Sequence, residues 1–204
     1  MGAKADVTIE YYNRNAARFL EDTAGVEFTE IQNAFLSLLP EGAMILDFGC
    51  GSGRDALKFL KRGYQVEATD GSEEMCWAAA ELTGLAVRQM LFLELDEKEK
   101  YDGIWACSSI LHLPKSELRE VLGRMTAALK RNGILYASFK YGIFEGERNG
   151  RYFTDFTEET FAEFIKGMTR LRIEKMWLTD DVRPGRGEEK WLNMILRKTD
   201  NHSG

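Results

Sequence analysis

The stretch "ILDFGCGSGRDALKF", residues 45–59, reads as a buried strand that runs into a glycine loop and then into a helix. A loop of this kind is suited to a ligand, because bare backbone and a helix N-terminus face outward together. The spacing of the glycines narrows the choice of ligand. In the dinucleotide fingerprint they follow G-x-G-x-x-G and face a pyrophosphate; here Gly49, Gly51 and Gly53 follow G-x-G-x-G, and the strand ends in Asp47. A carboxylate beside the loop repels a pyrophosphate in a partly buried site and attracts a cation. The expected ligand therefore carries positive charge and no phosphate, and close backbone approach suits a ribose.

Around that stretch the chain has room for one domain: 204 residues bury a core without staples. Cys50, Cys76 and Cys107 form no C-x-x-C pair and sit in apolar runs, which argues against a disulfide framework or a zinc site and for a reducing cytoplasm. The N-terminal "MGAKADVTIEYYNRNAARF" has no apolar h-region, and no run approaches the ~18 apolar residues of a membrane span, so a cytoplasmic protein without a membrane partner is expected. Lys and Arg total 27 against 33 Asp and Glu, a net charge of -6. An acidic domain without a basic stripe is a weak candidate for duplex nucleic acid.

Two helices precede the loop, over "TIEYYNRNAARFLEDT" and "FTEIQNAFLSLLP", the second ended by Pro40 and Gly42. Strand and helix patterns then alternate through "AMILDF", "RDALKFLKR", "QVEATD", "SEEMCWAAAEL", "AVRQM", "YDGIWACSS", "KSELREVLGRMTAALK" and "GILYASFK". Such alternation predicts an α/β doubly wound, mostly parallel sheet. After a further helix, "TEETFAEFIKG", the strands "RLRIEKMWLT" and "KWLNMILRK" are separated only by a loop and should pair antiparallel.

The stretch "ILDFGCGSGRDALKFLKRGYQVEATDGSEEM" within this pattern resembles the class I S-adenosylmethionine-dependent methyltransferases, and looks most similar to small bacterial, tellurite-resistance-like members. The resemblance implies one Rossmann-like domain over 1–204, with a helical lid over 1–40 and a core over 43–198 that carries a seven-stranded sheet closed by an antiparallel hairpin. It also implies S-adenosyl-L-methionine as cofactor and S-adenosyl-L-homocysteine as product. Asp47 would hold the methionyl ammonium, Gly49, Cys50, Gly51 and Gly53 would admit the cofactor to the backbone, and Arg54 would face its carboxylate or else lie in solvent. Asp70, which ends the second strand, would accept the ribose hydroxyls beside Gly71 and Ser72, with Ser72 also suited to cap the next helix. Met75 lies on the adenine side in relatives. Many relatives carry an acid after the third strand; Leu91 stands there, so adenine would rest on Met90, Leu91 and Phe92. Cys107 and Ser108 would lie along the methionine portion.

His112, just beyond the fourth strand, is the candidate general base, since an unperturbed imidazole titrates near neutral pH. Lys140, Tyr141, Arg148, Arg151 and Tyr152 follow the fifth strand, and Arg183 and Arg186 lie between the last two strands. Convergence of Arg151, Arg183 and Arg186 would favour an anionic small molecule as acceptor. Tyr11 and Tyr12 would fold over the site with the lid. Three other readings stay open: a tRNA or protein methyltransferase, a non-catalytic module that binds the cofactor, and an NAD-dependent oxidoreductase, against which Asp47 and the glycine spacing weigh.

Overall fold

A computed structural model describes residues 3–24, 28–181 and 188–199. In chain order the elements are α1 (Ala3–Ala24), α2 (Thr29–Leu36), β1 (Met44–Phe48), α3 (Arg54–Lys61), β2 (Gln65–Asp70), α4 (Glu73–Thr83), β3 (Arg88–Gln89), β4 (Tyr101–Ala106), α5 (Lys115–Ala128), β5 (Leu129–Lys140), β6 (Glu145–Arg148), β7 (Arg151–Thr154), α6 (Glu158–Phe164), β8 (Leu171–Asp180) and β9 (Lys190–Lys198). Seven strands form one sheet in the order β3-β2-β1-β4-β5-β9-β8. The first five are parallel, while β9 pairs antiparallel with both β5 and β8. The last two strands thus pair with each other as expected, and β9 inserts between β5 and β8.

The two-residue period of the strands divides the core between the two faces of the sheet. Leu46, Phe48, Ile104, Ala106, Leu135, Ala137 and Phe139 pack beneath α5 and α6. Their neighbours Ile45, Trp105, Ile134 and Tyr136 pack on the other face with Phe35 of α2 and Phe59 of α3. Because both faces are covered, the central strands read as nearly unbroken apolar runs. Trp105 and Tyr136 stack at 4.0 Å between ring centres, tying β4 to β5 on that face.

Helix ends follow local chemistry. Ser72 caps α4 by accepting the Met75 N–H at 3.2 Å, with Glu73 and Glu74 in the positive first turn. Asn15 interrupts α1 with non-helical angles, and its Nδ2 donates to the Tyr11 carbonyl at 2.8 Å. Two sequence expectations need correction. The helix read through Lys130 ends at Ala128, and the next strand already starts at Leu129; its irregular register and the left-handed Asn132 accommodate the early start. The stretch after β5, to which the strand and helix patterns above assign no element, holds the β6–β7 hairpin, whose turn residues Asn149 and Gly150 both have positive φ. An Asn-Gly pair adopts that turn at low cost, and this was the available signal.

The glycine loop is fixed where β1 ends. The amides of Gly49 and Cys50 both donate to the Thr69 carbonyl of β2, at 2.8 and 2.9 Å. Gly49 has φ +82°, and a Cβ there would stand 2.5 Å from the Ser109 Cβ. A Gly49→Ala protein should therefore lose about 2–4 kcal/mol of stability, from the left-handed backbone and the clash together. Urea unfolding monitored by circular dichroism checks this expectation.

Candidate functional site

A cavity of about 900 Å³ opens at the C-terminal ends of the parallel strands, where doubly wound sheets bind ligands. Thr8, Ile9, Tyr12 and Phe19 of α1 and Phe28 to Ile31 around the start of α2 line it from above. Asp47, only 2% exposed, lines its floor, and among the described residues its Oδ2 has no hydrogen-bond partner. Burial, reinforced by the Asp55 charge, pushes the Asp47 carboxyl well above the usual carboxylate range. Asp70 is better supported, accepting the Gly51 N–H on Oδ2 and the Ser72 N–H on Oδ1, both at 2.9 Å. Burial raises its pKa, and these amides oppose the rise. Of Asp47 and Asp70, Asp47 is the one with an oxygen that meets no donor among the described residues.

Asp55 escaped the sequence reading. It is buried, and accepts from Gln32 Nε2 at 2.7 Å, Trp105 Nε1 at 3.0 Å and Arg54 through two bonds at 3.0 and 3.1 Å. Arg54 is accordingly neither a solvated surface group nor an isolated cation: it is paired with Asp55, lies 4.4 Å over the Phe28 ring and lines the cavity. An acid at the second position of a helix reads from sequence as a dipole partner, and only the fold reveals the tryptophan beneath it. Cys50 and Cys107 also line the cavity; burial pushes Cys50 well up and Cys107 to about 12, so both are thiols at neutral pH.

Met75, Met90, Leu91 and Phe92 gather at one end of the cavity, with Phe92 edge-on to Phe48 at 4.8 Å. An acid does stand there. Glu94 lines the same wall and accepts the Leu91 N–H at 2.8 Å. Its spacing, three residues after Leu91, is that of a capping residue, which is the signal that could have found it.

Tyr12, His112 and Arg151 come together in the same lining. Tyr12 Oη and His112 Nε2 are 3.0 Å apart, and Arg151 Nη1 donates to Tyr12 Oη at 3.3 Å. Lys140 reaches the cavity but is held by Asp181 at 2.9 Å and by Glu189, and lies 4.2 Å over the Trp191 ring. Arg148, bidentate to Asp155, does not line the cavity. Neither does Tyr141, which is 40% exposed beside Glu158. Tyr11 also stands behind the lining, under the Arg151 guanidinium at 4.5 Å. Ser108 lines the cavity, its amide donating to Ser138 Oγ at 2.8 Å, whereas Arg183 and Arg186 lie outside the described residues.

The expectation of a near-neutral His112 is corrected by its surroundings. The ring is 8% exposed, and burial lowers its pKa to about 3, with the Arg151 and Arg148 charges adding to the shift and the Tyr152 carbonyl opposing it. As pH falls below about 6.5 the unfolded chain takes up a proton that the native ring refuses, so stability declines between there and about pH 3. NMR should find no titration of the His112 ring between about pH 5 and about pH 8, its signals being identified by their loss in His112→Gln. That variant should also show a shallower loss of melting temperature with acid.

Residues 45–133 match the family model described as a methyltransferase domain. The ubiquinone biosynthesis O-methyltransferase of Rhodopseudomonas palustris is 30% identical over 173 residues, which cover 76% of this chain and 67% of that protein. The 1,6-didemethyltoxoflavin-N1-methyltransferase of Burkholderia thailandensis, solved with 1,6-didemethyltoxoflavin and S-adenosylhomocysteine bound, superposes with a TM-score of 0.78 at 25% identity, covering 98% of this chain and 92% of its own. A TehB-like S-adenosylmethionine-dependent methyltransferase of Corynebacterium glutamicum shares the fold with a TM-score of 0.66 at 21% identity, over 94% and 98% of the two chains. The matched region spans only part of the curated relatives' length, 51% in one and 67% in another. On its sequence match and its sheet order, this chain belongs to the class I S-adenosylmethionine-dependent methyltransferases.

Proposed function

We propose that the protein transfers a methyl group from S-adenosylmethionine to a small-molecule acceptor that carries negative charge. The observation that carries the cofactor half of this reading is Asp47, a buried carboxylate with an unpartnered oxygen in the wall of the cavity. A cationic ammonium satisfies that oxygen, whereas a phosphate would be repelled by it. Asp70, already aligned by two backbone amides, has lone pairs left for ribose hydroxyls, and Arg54 is the cation for the cofactor carboxylate. Met75, Met90, Leu91 and Phe92 form an apolar slot for adenine, with Gly71 beside Asp70, and Cys107 and Ser108 flank the methionine portion. When bound, the cofactor supplies a methyl group already activated on a sulfonium. The protein's task is then to align the acceptor and exclude water, to which α1 and α2 contribute by covering the cavity.

Arg151 supports the anionic acceptor. Among the described residues it makes no ion pair, its Nε is buried without a partner, and it lines the cavity in a protein of net charge -6. A half-buried cation without an acid is costly unless a ligand supplies the countercharge. The Burkholderia enzyme's bound heterocycle is precedent for a small acceptor on this fold. The N-terminal helices over the site favour the tellurite-resistance-like subgroup, for which the Corynebacterium structure offers a likeness of fold alone.

Two measurements test the cofactor assignment. Calorimetry with S-adenosylhomocysteine should show affinity lowered about 10–100-fold in Asp70→Ala, from the loss of hydrogen bonds to a charged group. Since the ligand ammonium favours ionised Asp47, whose carboxyl is otherwise held well above the usual carboxylate range, binding should expel a proton and strengthen as pH rises, a slope that Asp47→Asn removes. Unchanged affinity in both variants would refute the assignment.

A further inference from the structure

The contacts of Tyr12 fix the direction of every hydrogen bond around it. His112 Nδ1 lies 2.6 Å from the Tyr152 carbonyl oxygen, which only accepts, so Nδ1 carries the ring proton. Nε2 of the neutral ring is then an acceptor, and the Tyr12 hydroxyl donates to it across 3.0 Å. Arg151 Nη1 donates to the same hydroxyl oxygen at 3.3 Å. With its single hydrogen committed to His112, Tyr12 Oη offers the cavity a lone pair and nothing else. A ligand group that meets it must be a donor.

Arg151 has the complementary requirement. Its guanidinium packs over Tyr11 at 4.5 Å and Phe153 at 5.1 Å, faces that offset part of its lost hydration but provide no oxygen for its N–H donors. Lys140 is committed to Asp181 and Glu189, whereas Arg151, also in the lining, makes no ion pair among the described residues. Since Tyr12 Oη and Arg151 Nη1 are neighbours, the groups that satisfy them must be neighbours in the ligand too.

We infer that Tyr12 and Arg151 form a two-point recognition unit for an acceptor in which an anionic oxygen stands next to an N–H or O–H donor, and that His112 is a positioning residue that sets the polarity of the Tyr12 hydroxyl. The class is that of planar acids with an amino or hydroxyl group beside the carboxylate or oxyanion; the Tyr12 and Phe153 rings in the cavity lining suit a flat molecule. The inference deepens the acceptor half of the proposed function and rests on it only for calling the bound acid an acceptor. His112 has no place here as a proton acceptor, because its one free lone pair is already occupied by Tyr12 and a guanidinium stands beside it.

Benzoate, 2-aminobenzoate and 2-methoxybenzoate are suitable probes, titrated calorimetrically into the full chain with and without saturating S-adenosylhomocysteine. The wild-type protein should bind 2-aminobenzoate at least about tenfold more tightly than benzoate, and 2-methoxybenzoate no better than benzoate. Tyr12→Phe should erase the preference for the amino compound while leaving benzoate within about twofold, and Arg151→Gln should weaken all three. His112→Phe is the decisive variant for the positioning role: it frees the Tyr12 hydrogen, so the preference should move toward 2-methoxybenzoate, whereas a merely structural histidine would change the three affinities together. Equal binding of benzoate and 2-aminobenzoate by the wild type, or binding of neither, overturns the inference. Absence of S-adenosylhomocysteine binding instead overturns the cofactor reading, and the ratio of the probes still decides the recognition unit.

Discussion

One carboxylate joins the parts of this protein that must stay in register. Asp55 is buried at the start of α3, where it collects a hydrogen bond from the cover helix α2 through Gln32, two from Arg54 and one from Trp105 in the middle of the sheet. The network continues beyond it: Trp105 stacks on Tyr136, whose hydroxyl donates at 2.7 Å to Asn193 of β9. The cover helix, α3, the central strand and the antiparallel strand are thus linked through one carboxylate and its donors. A buried carboxylate is tolerable only when its lone pairs are filled, and breaking such a set from one side leaves a charge without compensation. The geometry of the cavity floor depends on that saturation.

The contrast with Asp47 is instructive. The two acids lie close enough that the charge on Asp55 raises the pKa of Asp47, yet one is saturated by the protein and the other is not. Evolution of a purely structural pair would favour partners for both. A floor with one satisfied and one unsatisfied acid has a fixed framework and a vacant demand for positive charge. Arg151 poses the inverse demand, and a single cavity therefore holds opposite requirements.

Much of this arrangement can be read in the chain. The glycine run, Asp70 at the end of β2, the Ser72 cap and the strands of the parallel half depend on neighbours in sequence, and the structure brings them together as their local chemistry dictates. What could not be read depends on distant partners. Asp55 is fifty positions from Trp105, and the low basicity of His112 comes from burial beneath α1 and β7, which its own flanking residues do not announce. The hairpin at Glu145–Thr154 is different: its turn residues Asn149 and Gly150 are neighbours in sequence and mark it locally. Lys140, a candidate from sequence, is committed to acids that follow it by forty residues and more.

The position of α1 has a thermodynamic consequence. Asn13 of this helix accepts from Ser72 at 2.6 Å, beside Asp70, while Thr8 accepts the Tyr152 N–H at 3.1 Å and Tyr12 reaches His112. The part of α1 before its break at Asn15 therefore touches both the β2 side and the β7 side of the cavity. Were α1 to order only on binding, the first ligand would bear the entropic cost and the second would be spared it. By linkage, the two affinities would then rise by the same factor, coupling cofactor and acceptor through a helix without contact between them.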